Sequence, residues 1–368
     1  MTIGVDATFI RSGAVGGAEH MVRNLVTGLG ATGGGVTVFA RAGNWSDHIR
    51  GVELAEVPRR MNRFIAGTYA AARFGDRLDG VIYANYFVPP VVRRGQTVVA
   101  VIHDLQYIHY PEFFSVVKRR WLRLAHRFSL KTAHRIVAIS EFVREDLLAV
   151  YGDRWSDSIV TIPNPVSWNR LSSTKHLIEG PYILTVAAEY PHKNLTTLVK
   201  AFALARRRHD LDGVRLAIVG QRAAELVSTD DTGQLNRVIA EAGIGHEVLR
   251  LGYVRDEDVG ALYSDALVFV LPSLFEGFGM PAVEALGFGL PVITTRCAAL
   301  PETTLGFAHY VTDPLDAEEL ADALVRVSSS SAEYCPSTEQ VTAIRDAYDP
   351  VTVASKYRAL INENAYRS

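Results

Sequence analysis

Short apolar runs alternate with stretches of helical spacing from one end of the chain to the other. Such runs suit parallel strands buried on both faces, and the 3.6-residue spacing between them suits the helices that cover those faces. The pattern predicts strands over residues 2–8, 36–40, 52–57, 81–84, 98–102, 135–139 and 159–162, with helices near 18–30, 64–74, 116–133 and 141–151. Periodicity then stops. Residues 163–176 are rich in Pro, Ser and Asn and read as a linker. A second series follows, with strands at 182–187, 215–219, 248–251, 267–271, 292–294 and 309–311, and helices near 195–207, 234–242, 256–263, 281–286, 317–327, 340–347 and 351–367. The serine run 328–333 reads as a surface loop, and no internal repeat of solenoid period occurs. The expected class is α/β, two Rossmann-like doubly wound domains spanning 1–165 and 176–349. Ligands of such sheets bind beyond the carboxyl ends of the strands, so motifs are sought there.

A length of 368 residues exceeds one ordinary core, and 48% hydrophobic with 21% charged residues fits a globular enzyme rather than a disordered chain. The net charge of -2 selects no partner. No apolar run reaches the roughly 18 residues of a membrane span, and the N-terminus lacks a signal-peptide layout, so a cytoplasmic location is expected. Cys297 and Cys335 have neither metal-ligand spacing nor a disulfide framework, as in a reducing compartment. Charge is nevertheless uneven. Arg59, Arg60 and Arg63 precede an apolar segment, and Lys118, Arg119, Arg120, Arg123, Arg127, Lys131 and Arg135 punctuate another. Both read as basic amphipathic helices, suited to an anionic membrane surface or an anionic acceptor, or else as solvated faces. Nucleic acid is not an expected partner, because no stacking platform or groove-reading motif accompanies the charge.

Chemistry concentrates where the apolar run 267–271 feeds a helix. Glu276, Gly277, Phe278, Gly279, Met280, Pro281 and Glu284 place two carboxylates, a glycine loop and a helix start within nine residues. Gly277 and Gly279 let backbone N–H groups approach an anion, and the positive end of the helix favours a diphosphate. Glu284, expected in the first helical turn, suits ribose hydroxyls better than phosphate, which leaves Glu276 for the sugar. Two solvated glutamates beside an ordinary turn would be the plainer account of the pair alone. The whole segment 271–293, however, strongly resembles the signature of retaining GT-B glycosyltransferases of the large glycosyltransferase 4 family, in register through strand, loop, helix and next strand.

That resemblance implies two α/β domains facing a central cleft, with the terminal helix, residues 350–368, crossing back onto the first. It implies an N-terminal acceptor domain, a C-terminal nucleotide-sugar domain, and no required metal or other cofactor. It also gives meaning to further motifs. Gly16 and Gly17 lie in a glycine loop like the one that closes over donor and acceptor in the family; a turn needing glycine dihedrals is the alternative. The spacing departs from G-x-G-x-x-G, which disfavours a dinucleotide. His103 and Asp104 end an apolar strand as the family's His-Asp pair does, the imidazole for a sugar hydroxyl and the aspartate to accept or to orient the ring. Lys193 precedes a helix and suits a leaving diphosphate, or is merely a solvated helix-start residue. His192 stands where the family commonly has arginine, so the second phosphate cation is in question: lower activity, a pH-sensitive histidine contact or an arginine elsewhere are the options. Gly220, and Gly252 with Tyr253 and Val254, sit where relatives contact the nucleotide. Ser140 reads as a helix cap, His109 as ordinary, and Asp230-Asp231 as lacking metal context. The expected reaction moves a hexose, first guess mannose from GDP-mannose, to a hydroxyl of a glycan, glycolipid or small acceptor. A GT-B nucleotide-sugar epimerase and a catalytically silent GT-B partner protein are the competing readings.

Overall fold

The computed structural model describes residues 1–11, 16–90, 95–168, 176–221 and 233–365. They fall into two compact units, Met1–Val166 with Ala347–Ser368, and Ser167–Asp346. In the first unit, β1 (Thr2–Asp6), β2 (Gly35–Arg41), β3 (Val52–Val57), β4 (Gly80–Tyr83), β5 (Thr97–Ile102), β6 (Arg135–Ala138) and β7 (Ile159–Thr161) form one sheet. Its order is β3-β2-β1-β4-β5-β6-β7, and every pairing is parallel. In the second, β8 (Tyr182–Val186), β9 (Arg215–Val219), β10 (Val248–Gly252), β11 (Val268–Leu271), β12 (Val292–Thr295) and β13 (His309–Val311) follow the order β10-β9-β8-β11-β12-β13, again all parallel. The order reverses between β1 and β4 in one sheet and between β8 and β11 in the other, which is where an open α/β sheet leaves room for a ligand.

The sequence explains the central strands directly. All six residues of β5 and all four of β11 are buried, as apolar strands covered by helices on both faces require. β1 is shorter than its apolar run because Asp6 Oδ1 accepts the Thr8 amide at 2.9 Å and turns the chain. The terminal helix Pro350–Ala365 belongs to the first unit. It lies against the helix Gly17–Ala31 so closely that a Cβ on Gly28 would sit 1.9 Å from the Pro350 carbonyl oxygen. Arg358 fastens it, donating to Thr32 Oγ1 at 2.5 Å and to the Leu29 carbonyl at 2.9 Å.

One expected loop is helical instead. The helix Ala317–Ser329 runs into the serine segment and the single turn Ser331–Tyr334 follows. Leu320, Leu324 and Val327 anchor that helix through a buried stripe, and serine has enough helix propensity to be carried along by it. The basic helix Val116–Thr132 is capped by Ser115, whose hydroxyl accepts the Lys118 amide at 3.3 Å. It buries Leu122, Ala125 and His126 and leaves Val117, Leu124 and Phe128 exposed.

Candidate functional site

At the carboxyl end of β11 the chain leaves the sheet through Pro272 and Ser273 and enters the loop that ends at Gly279. Three threonine hydroxyls hold this loop by its carbonyls: Thr294 to Leu271 at 2.8 Å, Thr295 to Ser273 at 2.8 Å and Thr303 to Phe278 at 2.6 Å. The Ala299 amide adds a bond to the Glu276 carbonyl at 3.1 Å. Gly279 caps the helix Met280–Gly287 with φ 78°, and a Cβ there would lie 2.5 Å from Leu300 Cδ2, so conformation and space both demand glycine. Helix and loop therefore meet as the motif predicts, with two differences. Pro281 is the second helical residue, and the first turn carries no acid; because the helix starts at Met280, Glu284 is its fifth residue, one position further in than expected. Phe278 and Met280 are buried, which leaves their backbone groups rather than their side chains to face a ligand.

Glu276 is itself buried, and its Oε1 receives two donors, Lys193 Nζ at 2.6 Å and Ser273 Oγ at 2.7 Å. Burial alone would raise this carboxyl, but Lys193, His192 and the Ser273 hydroxyl together hold it below the usual carboxylate range. Among the described residues Oε2 has no such donor and remains an acceptor. Lys193 closes the short 3₁₀ turn Pro191–Lys193. The next residue, Asn194, is left-handed at φ 55°, and its Nδ2 donates to the carbonyls of Pro272 at 3.1 Å and Pro314 at 2.6 Å. That amide clamps the Lys193 turn to the end of β11, which is how the two residues 83 apart in sequence meet.

His192 is stacked on Tyr190 at 5.6 Å with planes 15° apart. Burial first and the Lys193 charge second push its pKa down to about 3, so the ring is neutral at ordinary pH. Of the options the sequence left open, a pH-sensitive contact at His192 gains no support from a ring held neutral in this way. Nor is Arg250 uncommitted, for it donates to Glu189 at 2.9 Å and contacts Asn236.

Glu284 is half-buried, and its Oε2 accepts from the Tyr263 hydroxyl at 2.8 Å. Gly220 follows β9 with φ 144°, its amide bonded to the Gly252 carbonyl at 2.8 Å; a Cβ on it would lie 2.3 Å from the Ala187 carbonyl oxygen. Tyr253 beyond β10 is exposed and Val254 half-exposed.

In the first unit Gly16 caps the helix Gly17–Ala31 with φ 62°, while residues 12–15 of that loop lie outside the described residues. His103 follows β5, and its Nε2–H donates to the Ala84 carbonyl at 2.8 Å, leaving Nδ1 as the acceptor. Burial lowers its pKa and keeps the ring neutral. The carbonyl of Ala84 thus orients the imidazole, a role expected of Asp104; Asp104 Oδ1 instead accepts the Gln106 amide at 2.9 Å and starts the short helix Gln106–His109. His109 pairs with Asp146 at 2.8 Å, and Ser140 accepts the Val143 amide at 3.2 Å as a cap. Among the described residues no group of three or more His, Cys, Asp or Glu is placed to hold a metal ion, and Asp230-Asp231 lie outside them. Among the described residues, too, no helix is long and apolar enough to cross a membrane.

Sequence reasoning missed Ser273, Tyr263, Asn194 and the three threonines. Asn194 was visible as the end of the Pro-His-Lys-Asn run and Ser273 stands only three residues before Glu276; Tyr263 and the threonines carry no local signal, since their partners are brought to them only by the fold.

Comparison with known proteins covers both halves. Residues 170–340 match the family described as Glycosyl transferases group 1, and residues 15–170 match Glycosyltransferase Family 4. An O-antigen chain mannosyltransferase B of Escherichia coli is 31% identical over 64% of this chain and 62% of its own length, under two thirds of that relative. An O-antigen chain mannosyltransferase of Salmonella typhimurium is 28% identical over 71% of each. Among solved structures, a sucrose-phosphate synthase from Thermosynechococcus elongatus matches over 100% of both chains with a TM-score of 0.78 at 18% identity, a likeness of fold.

Proposed function

We propose, from the premise that this chain belongs to the glycosyltransferase 4 family of GT-B glycosyltransferases, that it moves a hexose from a nucleoside-diphosphate sugar to an acceptor hydroxyl with retention at the anomeric carbon. GDP-mannose is the first donor to test, because both O-antigen relatives are named mannosyltransferases. The observation that carries the reading is the meeting of Lys193 and Glu276 at 2.6 Å beside a glycine-capped helix start, at the strand-order reversal of the second sheet.

In this reading the amides of Gly277 to Met280 and the Lys193 ammonium bind the diphosphate and take up charge as the leaving group forms. Glu276 offers Oε2 to sugar hydroxyls, Glu284 holds the ribose, and Gly220, Tyr253 and Val254 frame the base. Lys193 with the helix N–H groups supplies the positive charge, so no metal is invoked and His192 contributes a neutral ring only. His103, through Nδ1, and Asp104 serve sugar or acceptor hydroxyls, and Gly16 and Gly17 offer backbone N–H groups. No residue is assigned as nucleophile. The proposed place of work is the cytoplasmic side of a membrane, with the helix Val116–Thr132 against anionic lipid and a glycan or glycolipid as acceptor.

The test is a thermal-shift panel of nucleotide-sugars followed by transfer kinetics on the stabilising donor, since a ligand that binds only the folded state raises its melting temperature. Glu284→Ala is expected to weaken donor binding about 10- to 100-fold, the loss of hydrogen bonds to a charged group. Unchanged kinetics would remove Glu284 from the donor site. No nucleotide release from any donor would make the chain a silent partner, and donor isomerisation without transfer would make it an epimerase.

A further inference from the structure

Tyr263 lies near the end of the helix Asp256–Asp265, and its hydroxyl reaches Glu284 Oε2 at 2.8 Å from a fully buried position. Its ring is fixed on two sides, against Phe269 of β11 at 5.7 Å and against Phe288 at 5.5 Å with planes 23° apart. Burial, then the Glu284 charge, push the phenol well above its ordinary pKa, so it acts toward the carboxylate only as a donor. A buried phenol needs a partner, and a glutamate carboxylate otherwise rotates broadly about its last torsion.

We propose that Tyr263 is a positioning residue for nucleotide recognition: by holding Oε2 of Glu284 from within the core, it fixes the plane of the carboxylate that receives the ribose diol. The inference rests on the reading that Glu284 binds ribose. A diol donates two hydrogen bonds whose directions are set by the sugar ring, so an acceptor already locked in plane gains both without losing further rotamer freedom. Spacing in the sequence hides this, because the tyrosine stands 21 residues before the glutamate on a different helix.

The competing explanation is that the hydrogen bond merely ties two helices together. Tyr263→Phe removes the hydroxyl and keeps the ring, and titration calorimetry with GDP and UDP, their 2′,3′-dideoxy counterparts and inorganic pyrophosphate separates the two. Tyr263→Phe is expected to weaken whichever ribonucleotide wild type binds by about 5- to 20-fold, in line with loss of one charge-assisted hydrogen bond, while the dideoxy form and pyrophosphate bind as before. Phe288→Leu, which loosens the same packing but keeps the hydroxyl, is expected to retain the wild-type preference for ribose. Equal losses for ribo and dideoxy ligands in Tyr263→Phe, no loss for either, or the same loss of preference in Phe288→Leu would overturn the proposal. Wild type binding ribo and dideoxy forms equally would instead overturn the ribose reading of Glu284, and the proposal with it.

Discussion

Each glutamate of the candidate site is held by a neutral hydroxyl: Glu276 by Ser273, three residues before it, and Glu284 by Tyr263, from another helix. In both cases a carboxylate oxygen accepts from that hydroxyl. Lys193 adds charge at the same oxygen of Glu276, and removing either partner would strand a buried charge. Gly220 tests the tightness of this region. A side chain there is both strained at φ 144° and driven into the Ala187 carbonyl, so Gly220→Ala is expected to cost at least about 2 kcal/mol in denaturant unfolding. A melt indistinguishable from wild type would contradict the close approach. What could be read at this scale was whatever lies within one stretch of chain: Glu276, Gly279 and Glu284 by their spacing, Lys193 by its place before a helix. Thr294, Thr295 and Thr303 were illegible because hydroxyls bonded to distant carbonyls resemble any other threonine in sequence, and Ser273 because a serine three residues before a glutamate does not by itself announce a bond. His192 was read as a departure from the family pattern, and its neutrality is set by burial, which composition does not carry.

At the level of elements, strands covered on both faces were legible because continuous apolar runs leave little choice, and helix ends were not. The helix Met280–Gly287 begins one residue before its proline because left-handed Gly279 already stops the loop, and the helix Ala317–Ser329 absorbs serines that local propensity would release. The helix Val116–Thr132 was read as basic and amphipathic, and it presents Val117, Leu124 and Phe128 to solvent alongside exposed Arg120, Arg123, Arg127 and Lys131. Each basic residue near an anionic surface contributes about 1 kcal/mol. Sedimentation with vesicles containing phosphatidylglycerol is therefore expected to retain the protein at low salt. Arg120→Glu combined with Arg127→Glu should release it; equal retention of the variant, or none of the wild type, would show the face to be merely solvated.

Across the molecule, the two sheets share one strand order through six strands, with β7 added to the first. Histidines held neutral by desolvation occur in both units: half-buried His103, buried His126 with its pKa lowered to about 4, and half-buried His192 lowered to about 3. An unfolded chain protonates histidine below about pH 6.5 while these folded sites resist, so the unfolded state binds more protons and stability falls as pH drops from about 6.5 toward 4. The slope per histidine is up to about 1.4 kcal/mol per pH unit. Melting temperature should decline across that window, and less steeply in His126→Phe; parallel profiles would remove His126 as a contributor.

The helix Pro350–Ala365 that seals the first unit is made only after the whole of the second unit. At synthesis rates of roughly 5–20 residues per second, the nascent amino-terminal sheet waits on the order of 10 to 40 seconds with the flank of its first helix uncovered. Loss of this one helix would thus injure a sheet built mostly from residues some two hundred positions earlier, and chaperones that hold nascent chains should find their grip there while translation proceeds.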